Sequence, residues 1–151
     1  MSWIDDATKQ ARDEDEERTR REQTFNQQAP GLWADLRYQV EQDITAINQN
    51  QELRARRLGG DELRLTTSDS SLVVSKMTFP AIHLRVQYHL RSISLEREVI
   101  ANGQVIHPPV TRESISIEQA PDYRLFLKSK QGKALTIVEA SKYLLAPFFS
   151  A

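Results

Sequence analysis

The spacing of apolar residues changes near residue 61, and this change limits the chain to folds that contain both helices and strands. Before residue 61 apolar residues recur every third or fourth position, and beyond it they recur every second position. The clearest strand-like segment carries apolar side chains at alternate positions: Ile82, Leu84, Val86, Tyr88 and Leu90. We therefore predict a sheet with one apolar face, to which these five side chains contribute.

A helix is predicted over residues 32–57, ahead of the strands. Its apolar stripe is spaced 3, 4, 4 and 3 residues apart: Trp33, Leu36, Val40, Ile44 and Ile47. Pro30-Gly31 is expected to interrupt the helical pattern of the charged segment that precedes this helix. Gly59-Gly60 is expected to end the helix. Because the stripe is one-sided, we expect this helix to pack on the apolar face of the sheet.

A second helix is predicted at the end of the chain. Thr136 followed three positions later by Glu139 is a capping box, which places the first helical turn at Ile137. Pro147 is expected to end this helix. Turn-forming residues between the apolar runs predict reversals at 68–70, at 102–103 as a type I′ hairpin, and at 131–132.

These elements predict an α+β fold with two layers. The first layer is a twisted antiparallel sheet of five or six strands, and the second is formed by the helix over about 32–57 and the C-terminal helix. We predict that residues 30–151 form this single domain and that residues 1–29 are a charged helical appendage. In this appendage eight acidic and five basic residues form seven pairs of opposite charge spaced four apart, a spacing that stabilises a helix.

Composition excludes several classes of function. The chain has no cysteine, which rules out disulfides, thiolate nucleophiles and cysteine metal sites. The net charge of −1 predicts no overall attraction to nucleic acid, and no apolar run approaches the roughly 18 residues that a membrane helix needs. Neither a nucleophile elbow nor a glycine-rich phosphate loop occurs. We expect a cytoplasmic protein without cofactor or metal. The sequence leaves open whether the protein is an enzyme and favours a non-catalytic role.

One candidate ligand-binding surface is the polar face of the clearest strand. It carries two imidazoles, a guanidinium and an amide: His83, Arg85, Gln87 and His89. The two histidines lie six residues apart, about 20 Å along a strand, so they do not share one metal ion. The alternative is that this is simply the solvated face of the sheet.

Two neighbouring carboxylates form a second candidate. Glu96 and Glu98 lie on one face of a strand about 7 Å apart, near the separation found in glycosidase acid pairs. The alternative is an edge strand that charge protects from pairing with other chains.

Apolar residues at both ends of the chain are the candidate interaction surface. Trp3 and Ile4 precede the charged segment, and Phe148 and Phe149 lie near the C-terminus. Such residues either dock on the domain's own core or form a contact surface. We predict a non-catalytic interaction module that forms a homo-oligomer or binds another protein. The alternative is a ligand-binding or enzymatic domain whose curved sheet lines a cavity, with helices covering the side that carries His83.

Overall fold

A computed structural model describes residues 2–78, 80–101 and 104–149, and it describes only the backbone of residues 101 and 104–109. The helices are α1 (Trp3–Gln49), α2 (Gln51–Arg57) and α3 (Ile137–Leu145), and α3 continues into a 3₁₀ turn (Ala146–Phe149). The strands are β1 (Arg64–Thr67), β2 (Ser71–Lys76), β3 (Ala81–His89), β4 (Ser92–Ala101), β5 (Gln104–Gln119), β6 (Leu125–Lys128) and β7 (Ala134–Leu135).

All the strands form one curled antiparallel sheet in which each strand pairs with the next along the chain. The predicted α+β class with an antiparallel sheet is therefore confirmed. The strand count differs from the prediction, because the described residues form seven strands rather than five or six. The short β1 and β7 pair at the two ends of the sheet.

The core lies between α1, α3 and one face of this sheet. Six side chains of α1 are buried at helical spacing: Phe25, Ala29, Trp33, Leu36, Val40 and Ile44. They belong to one cluster with the inward residues of the strands, among them Leu84, Ile93 and Ile115, and with Leu144 of α3. Both helices thus cover the face that carries Leu84 and Val86, as the alternation predicts.

Hydrogen bonds attach α1 to the first half of the sheet. The indole Nε1 of Trp33 donates to the carbonyl of Asp69 at 2.8 Å, and the ring stacks on Tyr88 with centroids 5.7 Å apart. Near the end of the helix, Asn48 both donates to the carbonyl of Leu63 and accepts from its backbone N–H, each at 2.9 Å. These contacts fix the rotation of α1 about its axis, so the stripe stays on the sheet.

The prediction that Pro30-Gly31 interrupts the helix is wrong, because α1 runs through both residues. Proline removes one N–H and leaves the carbonyl of Asn26, four residues earlier, without its helical donor. Asn26 and Pro30 are both exposed, on the side of α1 where solvent is able to hydrogen-bond such a carbonyl. The buried side chains on either side, Ala29 and Trp33, hold the two halves of the helix against the sheet.

The predicted end of the long helix is also wrong. α1 ends at Gln49 rather than near residue 57, since Asn50 adopts an extended conformation. The Asn50 side chain then accepts from the backbone N–H of Leu53 at 3.0 Å and caps α2. Asparagine is a favoured N-cap residue, so a new helix begins where the predicted one continued.

The inward position predicted for Leu90 is wrong as well, since this side chain is 43% exposed. β3 ends at His89, and Leu90 lies in the tight turn that leads into β4. In contrast, Ile82, Leu84 and Val86 are buried, and Tyr88 packs partly buried against the core.

The turn and cap predictions that fall on described residues are confirmed. Residues 68–70 connect β1 to β2, and residues 129–133 connect β6 to β7. At α3 both halves of the capping box are present between Thr136 and Glu139, and the helix ends before Pro147. The predicted hairpin residues 102–103 lie outside the described part of the chain.

Candidate functional site: a projecting helical arm and a pocket beneath the C-terminal helix

The first fourteen residues of α1 extend beyond the sheet and form a surface that we call the arm (residues 3–16). Every residue of the arm is exposed. At 1.5 Å per residue the arm is about 21 Å long. Its net charge is −4, since it carries six acidic and two basic residues.

The root of the arm is held against the loop between β5 and β6. Tyr123 donates a hydrogen bond to the carboxylate of Glu17, and Arg21 donates to the carbonyl of Ala120 at 3.0 Å. The Arg21 guanidinium also lies 5.0 Å from the centroid of the Tyr123 ring. Tyr123 adopts a positive φ of 69°, an unusual backbone conformation for a tyrosine, and this turns its ring towards α1.

Local features stabilise the arm as a helix. Ser2 caps it by accepting from the backbone N–H of Asp5, and Asp5 and Asp6 lie in the first turn, where negative charge complements the helix dipole. Of the seven predicted ion pairs four residues apart, Glu17–Arg21 is present at 3.9 Å, in the turn directly after the arm. An isolated helix of fourteen residues is only marginally stable, but the arm propagates from the packed part of α1.

The few apolar side chains of the arm lie on the same side of α1 as the stripe that packs in the core. Ala7 and Ala11 precede Phe25 and Ala29 by eighteen residues, which is about five helical turns, so each pair lies on the same side of α1. Near the tip, Trp3 is 77% exposed and Ile4 is 57% exposed. The sheet thus covers the apolar side of α1 from Phe25 onwards. Residues 12–24 contain no apolar side chain, so the apolar residues of the arm form a separate, uncovered patch.

At the other end of the chain, the structure places the predicted interaction residues differently. Phe148 is fully buried in the core cluster, and Phe149 is partly buried against it. Phe148 is therefore not a surface residue, because the 3₁₀ turn after α3 folds it back onto the domain. Of the four candidate residues for an interaction surface, Trp3 and Ile4 are the two that are well exposed.

The second feature is a pocket of about 300 Å³ between the inner face of β3–β5 and α3. Leu84 and Leu95 form its floor, and Leu144 and Pro147 line it from the helix and the following turn. The strands position three polar side chains in the same pocket: Arg97 from β4, and Thr111 and Glu113 from β5. Arg97 and Thr111 lie directly opposite each other in the β4–β5 register.

Tyr143 of α3 completes the polar part of this pocket. Its hydroxyl donates a hydrogen bond to the carboxylate of Glu113. This hydrogen bond, then burial and the negative charge of Glu113, raise the pKa of Tyr143 from its ordinary value of 10.0 to about 12. Arg97 is partly buried, and among the described residues it forms neither a hydrogen bond nor an ion pair.

None of the predicted sites includes the polar residues of the pocket, although their positions in the strand pattern indicate that they face the core. Arg97 occupies an inward position of β4, in phase with Ile93 and Leu95. Glu113 likewise continues the inward series of Ile115 and Ile117 on β5. A charged residue that interrupts an apolar alternation identifies a polar group turned towards the core.

We expect Tyr143 to ionise at about pH 12. The folded state raises the pKa of this phenol, so its contribution to stability is complete below pH 10 and is lost as the pH rises through about 12. The measurement is phenolate absorbance after rapid pH jumps, as the difference between the wild type and Tyr143→Phe. Tyr38→Phe, which removes an exposed phenol from α1, is the matched control. A difference curve centred at about pH 10 would contradict the hydrogen bond to Glu113.

The predicted ligand-binding face of β3 lies on the opposite side of the sheet from both helices. Arg85, Gln87 and His89 are exposed there, and His83 is partly exposed. His89 contacts the Ser94 hydroxyl across the hairpin at 3.1 Å. The alternative function requires helices that cover this face of the sheet. In the structure, α1 and α3 cover the other face. A ligand-binding role for these four residues stays a prediction.

Glu96 and Glu98 lie on this same outer face. In the β3–β4 register they stand opposite Arg85 and His83 respectively, and Glu96 also lies 4.0 Å from Arg112 of β5. The prediction that they mark an edge strand is wrong, because β4 pairs with both β3 and β5. Glu96 thus has an ion-pair partner on β5, and both carboxylates have a basic residue as cross-strand neighbour on β3.

Comparison with known protein families, with curated proteins and with solved structures finds no match for the chain. In the part of the chain that the structure describes, no three side chains of metal-ligating type come together. None of the described helices has an apolar stretch long enough to cross a bilayer. The geometry of the arm and of the pocket therefore provides the basis for assigning a function.

Proposed function

We propose that this protein is a non-catalytic self-association module whose arm packs against the arm of a second copy. The observation that carries the proposal is the exposed apolar patch near the free end of α1. Trp3 is 77% exposed and Ile4 is 57% exposed, and Ala7 and Ala11 follow Ile4 at helical spacing, exposed on the same side of the helix. An exposed apolar patch on an ordered helix is typical of a surface that another chain covers.

A second copy fits the arm because the small residues on its stripe allow close approach. When two arms run antiparallel with Ile4 opposite Ala11, Ala7 lies at the centre of the contact. The same alignment places Asp6 of each arm opposite Lys9 of the other, so one favourable charge pair forms twice by symmetry. A twofold pairing of this kind closes on itself and produces a dimer.

The acidic cluster at residues 13–16 favours the antiparallel arrangement over the parallel one. Parallel arms would bring the four carboxylates of one copy beside the same four of the other, where like charges repel. In the antiparallel alignment the two clusters lie about 20 Å apart. This separation exceeds the Debye length of about 8 Å at physiological ionic strength, so the repulsion is largely screened.

We expect Ile4→Glu to raise the dissociation constant of the dimer by about tenfold or more, since each copy loses an apolar contact of roughly 1.5–3 kcal/mol. Glutamate in the first turn favours the helix, so the variant keeps the arm folded. Sedimentation equilibrium over a range of concentrations measures the constant. Gln27→Glu, on the exposed side of α1, adds the same charge and is the matched control.

Two results would contradict the proposal. One is a wild-type chain that stays monomeric up to about 1 mM, because association then contributes less than about 4 kcal/mol. The other is an equal weakening by Gln27→Glu and Ile4→Glu, because this would assign the effect to net charge rather than to the stripe.

A further inference from the structure

We propose that the pocket between β3–β5 and α3 binds a small amphiphilic carboxylate, with its apolar body on Leu84, Leu95 and Leu144 and its carboxylate on Arg97. The polar side chains stand at one side of an otherwise apolar surface. Ligand pockets in proteins combine these two features, an apolar lining for affinity and a few polar groups for orientation.

Arg97 determines the sign of the ligand charge. Its guanidinium lies in a partly buried pocket and is free of hydrogen bonds and ion pairs among the described residues. A partly buried guanidinium without these bonds has N–H donors left to bind an anion. Guanidinium presents a planar pair of N–H donors that matches a carboxylate in two parallel hydrogen bonds.

Glu113 restricts where the ligand carboxylate lies. Its side chain accepts the hydrogen bond from Tyr143 and is turned towards α3. Its negative charge repels an anion, so the ligand head is expected on the far side of Arg97, next to Thr111. Thr111 is opposite Arg97 in the strand register and lines the same pocket, so its hydroxyl is a second donor for the ligand.

The size of the pocket suits a short ligand. With roughly 30 Å³ for each water-sized group, a volume of about 300 Å³ holds about ten non-hydrogen atoms. Octanoate has about this size and is a suitable probe, because its neutral and cationic analogues 1-octanol and octylamine share the same chain. The three probes separate the contribution of the carboxylate to binding from that of the buried alkyl chain.

The test is isothermal titration calorimetry of the full-length protein with octanoate, 1-octanol and octylamine. We expect saturable binding of octanoate, at least tenfold tighter than binding of either analogue. Arg97→Gln should weaken octanoate binding by at least tenfold and leave 1-octanol binding unchanged. Arg85→Gln, which removes an exposed arginine from the outer face of β3, should leave all three unchanged.

Several outcomes would overturn the proposal. These are the absence of saturable octanoate binding to the wild type, tighter binding of octylamine than of octanoate, and unchanged octanoate affinity in folded Arg97→Gln. The comparison of probes on the wild-type protein keeps the proposal testable if Arg97→Gln does not fold. Since the pocket lies away from the arm, these results are independent of the oligomeric state.

Discussion

Ile44→Asp is expected to unfold the domain. Ile44 is 4% exposed and belongs to the core cluster beneath the sheet. The substitution removes an apolar contact of roughly 1.5–3 kcal/mol and leaves a buried carboxylate without a partner, which costs about 3–5 kcal/mol. A domain of this size is stable by about 5–15 kcal/mol, so the loss is a large fraction of the total. Urea unfolding followed by far-ultraviolet circular dichroism measures it.

Thr45→Asp is the matched control for this variant. Thr45 follows directly in the same helix and is exposed, with its hydroxyl bonded only to the carbonyl of Glu41 within its own helix. Aspartate at either position has the same helix propensity and the same relation to the helix dipole. We expect Thr45→Asp to stay within about 0.5 kcal/mol of the wild type. An Ile44→Asp protein with the wild-type urea midpoint would contradict the packing of α1 on the sheet.

Trp33→Ala is expected to destabilise the domain by about 3–5 kcal/mol, the range for removing a large buried aromatic side chain. Trp33 is 2% exposed, stacks on Tyr88 and donates its indole N–H to the carbonyl of Asp69. The variant loses the ring contacts and leaves that carbonyl without its donor. The decrease in the free energy of unfolding is measured by urea titration with circular dichroism as the readout.

The core of this fold follows from short-range patterns in the sequence. The two-residue alternation at Ile82, Leu84 and Val86 and the helical stripe from Trp33 to Ile44 each specify one apolar face. A helix and a sheet that each have one apolar face bury these faces best against each other. The two layers and the contact between α1 and the sheet are therefore predictable from the sequence. The capping box at Thr136 is equally local and is found where the sequence places it.

The errors arise where tertiary packing outweighs a local signal. Pro30 is a helix breaker by itself, yet Ala29 and Trp33 pack on the sheet on both sides of it and keep the helix continuous. Leu90 fits the alternation of β3, but the reversal into β4 begins one residue earlier and turns it outwards. Neither outcome is readable from a window of a few residues, since each depends on contacts made elsewhere in the fold.

The candidate sites are predictable to different degrees. Trp3 and Ile4 are recognisable from the sequence because apolar residues beside a highly charged segment have no core to join. The pocket as a whole is not recognisable from the sequence, because Arg97, Glu113 and Tyr143 come from separate elements and meet only when α3 packs over the sheet. The assignment of the His83 face to the outside likewise required knowing which side the helices cover.

The central claim is that the apolar residues of α1 are buried by the sheet from Phe25 onwards and are uncovered on the arm. The most direct measurement compares the free energies of unfolding of Trp33→Ala and Trp3→Ala at a concentration at which the wild type is monomeric. Both variants remove an indole from the same helix, and they differ in whether the sheet covers it. We predict a loss of about 3–5 kcal/mol for Trp33→Ala and within about 0.5 kcal/mol of no change for Trp3→Ala. Losses of similar size at the two positions would contradict the claim.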